Sequence, residues 1–169
     1  MKESSRAREE AVVSRWISPL PHGRGSKDSQ ALSNPKPSRQ NLACSAWLQG
    51  LLESGVRVIV PEIADYEVRR ELLRANKLPG LAMLDTLTES LDYLPLTMTA
   101  MRQAARLWAD ARQSGQPTAK DNTIDGDVIL AAQAQSLGVA DFVVATTNVG
   151  HLSRFVPAQL WTEIEPLAS

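Results

Sequence analysis

From residue 42 onward the apolar positions switch repeatedly between helical and strand spacing, which is the signature of alternating elements. Leu42, Ala46, Trp47, Leu48, Leu51 and Leu52 recur at helical spacing and stop at Ser54-Gly55, predicting a helix. Val56, Val58, Ile59 and Val60 then form a short β-branched run closed by Pro61, as in a buried strand of a parallel sheet. A second helix is expected over residues 62–76 and a third over about 81–91. A short strand follows around 93–96, then a helix over about 99–113. After the polar turn SGQPTAKDN, a helix over about 124–135, a strand over 142–146 and a short apolar segment around 160–164 complete the pattern. Strands and helices alternating through short connections predict an α/β fold with a mainly parallel sheet.

The first forty residues have a different texture. Residues 18–40 are crowded with Pro, Gly, Ser and charge, which reads as loop. Before them Ala11, Val12, Trp16 and Ile17 fit at most a two-turn amphipathic helix, too short to stand alone in water. Charge divides at the same place. Residues 1–40 hold eight Lys or Arg against four acids and carry +4. The rest holds ten against fifteen and carries −5, so the formal net charge of −1 hides an asymmetry. The expected organisation is a loose basic N-terminal arm over 1–38 and one domain over 39–165.

The remaining composition narrows the chemistry. The single cysteine, Cys44, excludes an internal disulfide and a thiolate metal cluster, and is expected to be a buried thiol in a reducing compartment. No apolar run approaches the roughly 20 residues of a membrane span, and the charged N-terminus does not resemble a secretory signal, so a cytoplasmic location is expected. Glycine-rich phosphate loops and G-x-S-x-G elbows are absent from the sequence. Trp47 and Trp108 sit at helical spacing and are expected to pack in the core.

Open α/β sheets bind ligands beyond the carboxyl ends of their strands, and three polar segments fall there. In PEIADYEVRRE the acids Glu62, Asp65, Glu67 and Glu71 follow the strand at 56–60. The helix dipole and pairing of Glu67 and Glu71 with Arg70 and Arg74 account for them locally as well as a site does. In DNTIDGDVILAAQA three acids, Asp121, Asp125 and Asp127, crowd a helix start, where Asp121 or Thr123 also suits a cap. A cation would relieve their mutual repulsion. In VVATTNVGHL the strand runs into Thr146, Thr147, Asn148, Gly150 and His151, a set that serves equally as ligand contacts or as a turn. Without paired imidazoles or thiolates, oxygen donors suit Mg2+ or Mn2+.

Taken in order, VIVPEIADYEVRREL, DGDVILAAQA and VVATTNVGHL resemble the PIN domain, the nuclease fold that includes VapC-type toxins, over about residues 33–164. The resemblance implies a three-layer α/β/α sandwich around a parallel sheet. It implies an RNA-cutting site in which Glu67, Asp125 and Asp127 hold Mg2+ or Mn2+, and in which Asn148 joins them. Thr146 and Thr147 would support the strand end, and Arg70, with Arg69 and Arg154 as further candidates, would meet phosphate. It further implies a metal-dependent endoribonuclease, the toxin of a type II toxin-antitoxin pair, with a small antitoxin partner and a homodimer. PIN domains open with a hydrophobic strand ending in Asp, and no such strand is visible here. Asp28-Ser29 matches that motif only superficially, since GRGSK precedes it. The first strand is therefore expected to be missing or replaced. A non-catalytic PIN-like RNA-binding module, a truncated gene product, and a metal hydrolase acting on small phosphate esters stand as alternatives.

Overall fold

Among the described residues five strands form one parallel sheet in the order β3-β2-β1-β4-β5, and the strand at its centre is one that the periodicity does not reveal. The computed structural model describes residues 10–13, 39–115 and 126–165. Along the chain the elements are β1 (Glu10–Val13), α1 (Arg39–Glu53), β2 (Arg57–Pro61), α2 (Glu62–Arg74), α3 (Leu78–Ser90), β3 (Asp92–Leu94), α4 (Met98–Gln113), α5 (Gly126–Gln135), β4 (Phe142–Ala145), α6 (Val149–Leu152) and β5 (Ala158–Gln159). A short 3-10 turn, Trp161–Glu163, follows.

β1 overturns the expectation that the first strand is missing. It lies between β2 and β4, with Ala11 opposite Val58 on one side and Val143 on the other. Four residues, EAVV, are too few to display a period, and pairing on both edges supplies the backbone hydrogen bonds that local propensity does not. Residues 10–13 are therefore sheet, neither loose arm nor helix. The remainder of 1–38, including Asp28, lies outside the described residues. The expected acid does not follow the strand, because the residue after Val13 is Ser14.

Alternate residues of β4 show how the sheet is covered. Val143 packs with Leu48 and Leu51 of α1, Val56 and Val58 of the β2 segment, and Leu87 of α3. Val144 packs instead with Ile63, Ala104 of α4, the α5 run Val128–Ala132, and Leu152. Neighbouring residues of a strand point to opposite faces, so helices cover both faces and the layers are α/β/α. The edge strands β3 and β5 are only three and two residues long, which limits pairing with other chains.

Side-chain expectations fare unevenly. Trp47 is half-buried, donating from Nε1 to the Ile164 carbonyl at 2.8 Å and meeting the Trp161 ring edge-on. Trp108 is a correction. It is 39% exposed with the Arg112 guanidinium over its ring, because the buried side of α4 is the one carrying Ala104, Leu107 and Ala111. Cys44 is only partly buried.

One polar cluster ties α2 to its neighbours. Asp65 accepts from Arg69 at 2.9 Å and from the Tyr93 hydroxyl at 3.2 Å, while Arg69 also reaches Asp85 of α3 at 2.7 Å. Hydrogen bonds to Asp85 and Asp65 raise the Arg69 pKa further. Burial first, then the charges of Asp65 and Glu62, push the Tyr93 phenol up to about 12.

Two outcomes test this architecture. Val12 pairs with Ile59 and Val144, so Val12→Pro should cost about 3 kcal/mol or more by interrupting a central ladder; an unchanged thermal melt would remove β1 from the sheet centre. The raised Tyr93 pKa favours the neutral phenol in the folded chain. Its contribution is complete below about pH 10 and is lost as pH climbs towards 12. Absorbance titration of the phenolate should show a late-ionising tyrosine that Tyr93→Phe deletes.

Candidate functional site

The order of strands reverses beside β1: β2 and β3 lie on one side of it, β4 and β5 on the other. Such a switch point opens a crevice at the strand carboxyl ends. β4 delivers Thr146, Thr147 and Asn148 there, β2 leads directly into α2 and its Glu67, and α5 begins with Gly126 and Asp127.

These segments, far apart in sequence, converge. A Cβ built on Gly126 would lie 2.3 Å from Glu67 Oε1, so the carboxylate of α2 occupies the space that only glycine leaves open at the head of α5. The next residue, Asp127, accepts a hydrogen bond from Asn148 Nδ2 at 2.7 Å. Asn148 stands at the N-cap of α6, where its side chain would ordinarily cap its own helix. It makes no such cap and reaches α5 instead. Thr146 is 1% exposed, and its Oγ1 accepts from the Asn148 amide at 2.9 Å, which shapes the turn that presents the asparagine. His151 Nδ1 lies 3.7 Å from the same Asp127 oxygen. Thr147 is exposed beside them.

Of the residues expected at the site, Glu67, Asp127, Asn148 and Thr146 are therefore brought together. Asp125, like Asp121 and Thr123, lies outside the described residues. Arg70, one turn from Glu67 on α2, is exposed with its guanidinium 5.6 Å from the Tyr66 ring centre and 3.9 Å from Glu71. Arg69 is committed to Asp65 and Asp85, and Arg154 lies over the Phe155 ring. The pairing of Glu71 with Arg74 is present at 2.8 Å, whereas Glu67 faces Gly126.

Two carboxylates and an amide oxygen form a set of hard oxygen donors. With water completing the shell, such a set fits Mg2+ or Mn2+. Among the described residues no group of three or more His, Cys, Asp or Glu is placed to hold a metal by itself.

Sequence reasoning missed two contributors. Gly126 admits Glu67, and Gln133 bridges α5 to both α2 and β3. The signals were a glycine between two aspartates and one amide inside an otherwise apolar run, VILAAQA. Glu62, one of the candidate acids, accepts instead from the Leu96 amide.

No family model and no curated protein matches the sequence. Solved structures do. The chain aligns with one in VapBC-1 from nontypeable Haemophilus influenzae at a TM-score of 0.56 and 20% identity, covering 74% of this chain and 89% of that one. It aligns with one in VapBC2 from Rickettsia felis, solved bound to a DNA fragment from their promoter, at a TM-score of 0.57 and 12% identity, covering 90% and 98%. The parallel sheet, its helical layers and these alignments together give the chain a VapC-like, PIN-like fold.

Proposed function

We propose that this chain is a metal-dependent endoribonuclease of the PIN type, the toxin of a type II toxin-antitoxin pair. The observation that carries the reading is the convergence of Glu67, Asp127 and Asn148 at the sheet's switch point, three side chains from three separate segments. Its likeness to chains of VapBC structures supports the same reading and points to a small antitoxin partner. A homodimer and a cytoplasmic location belong to the proposal. Among the described residues no helix is long and apolar enough to cross a membrane.

Glu67, Asp127 and Asn148 would hold Mg2+ or Mn2+, with Asp125 completing the acidic set. When bound, the cation supplies water activation and charge neutralisation at a scissile phosphodiester. The chain's own residues do the rest. Asn148 donates to Asp127 and so sets the carboxylate's orientation, and Thr146 holds Asn148 in place. Arg70 and Thr147, both exposed, would receive backbone phosphate. A body carrying −5 beyond residue 40 repels RNA at long range. Binding then depends on these local contacts and weakens as salt rises.

Ser14, standing directly after β1 in place of an acid, favours a second reading. In it, the chain is a PIN-like module that binds RNA without cutting it.

A ribonuclease assay in Mn2+ separates the two. Glu67→Gln and Asp127→Asn should each lower cleavage about a hundredfold; no cleavage by the native chain supports the binding module, and cleavage that survives both substitutions defeats the nuclease reading of this site. Gly126→Ala gives an independent check. Alanine should leave stability unchanged or raise it by up to about 1 kcal/mol, while its Cβ displaces the Glu67 carboxylate and lowers cleavage. Native cleavage rates in Gly126→Ala would remove Glu67 from the site.

A further inference from the structure

α5 is buried along seven consecutive residues, Val128 to Ala134, and all but one are apolar. The exception is Gln133. It is fully buried and partnered at both ends, its Oε1 accepting from the Ile63 amide at 3.3 Å and its Nε2 donating to the Leu94 carbonyl at 2.6 Å. The first contact answers a local deficit in α2. The opening N–H groups of a helix have no intrahelical acceptor, and the N-cap of α2 is Pro61, which makes no side-chain cap. Gln133 supplies that cap from another helix.

The position of this cap matters for the acids. Ile63 and Glu67 are four residues apart and share one face of α2, while Gly126 and Gln133 are seven apart and share one face of α5. The two helices thus meet twice, at Ile63 with Gln133 and at Glu67 with Gly126. Two contacts on one helix pair fix both its offset and its rotation. The first contact lies about 10 Å along α5 from the second and involves no acid.

We infer that Gln133 is the positioning residue of the Glu67–Asp127 site, holding α2 so that the Glu67 carboxylate stays against Gly126 at the head of α5. The inference rests on the metal-site reading above for its consequence, but its geometry is testable without metal. Supporting groups of this kind typically change metal affinity by about tenfold to a hundredfold.

The test uses Gln133→Met, which keeps the volume and removes both hydrogen bonds, in a chain verified to melt cooperatively. In the native chain Glu67→Gln should shift the Gly126 amide resonance. In the Gln133→Met background the same substitution should move it less than half as far, and calorimetric Mn2+ affinity should fall about tenfold. A Gly126 response equal to that of the native chain overturns the proposal. If methionine prevents folding, Gln133→Leu, which also removes both hydrogen bonds, is measured in the same way: a Gly126 response reduced by more than half supports the role and an unchanged one overturns it. A native chain that binds no Mn2+ defeats the nuclease reading, and the Gly126 response alone then decides the role of Gln133.

Discussion

The rest of the molecule is organised around the close approach of α5 to the sheet and to α2. Its Ala131, Ala132 and Ala134 are essentially inaccessible, and Val128 to Leu130 pack with β4, α4 and Leu152. Small side chains let the helix axis come near the strands, where a longer residue would hold it away. A helix buried this deeply has little tolerance for polar groups, so its one amide must be satisfied at both ends. It also carries its first residues, Gly126 and Asp127, to the carboxyl edge of the sheet. The burial that stabilises the domain is thereby the same burial that places a carboxylate at the switch point.

The site follows from that constraint in steps. Glycine at the head of α5 leaves room for the Glu67 carboxylate of a neighbouring helix. Asp127 faces the turn after β4, where Asn148 reaches it in place of capping α6. The Asn148 amide donates to Asp127 and so orients that carboxylate, while the Glu67 carboxylate approaches the same helix start one residue earlier.

Most of the fold was legible because long elements announce themselves. The segments that became α2, α4 and α5 have ten or more residues and a clear apolar face or run, and β2 and β4 are short β-branched runs between turn signals. The central strand was not legible. Four residues carry too little pattern, and β1 owes its conformation to partners on both sides that come from residues 57–59 and 142–145. Trp108 failed for the complementary reason. Helical spacing locates a stripe but does not say which stripe meets a neighbour, and the buried side of α4 carries Ala104, Leu107 and Ala111 rather than this ring.

What the sequence determined alone is the alternation of elements, the acidic body, and the candidate acids that fall after β2 and at the head of α5, because these depend on local period and residue type. What the tertiary structure decided is which of those groups meet. Glu67 and Glu71 are equivalent in composition, yet one faces Gly126 and the other pairs with Arg74. The two lie four residues apart on one face of α2, so the difference is position along the helix: Glu67 falls level with the head of α5 and Glu71, one turn further on, does not, and no local pattern encodes where along a helix a distant segment packs.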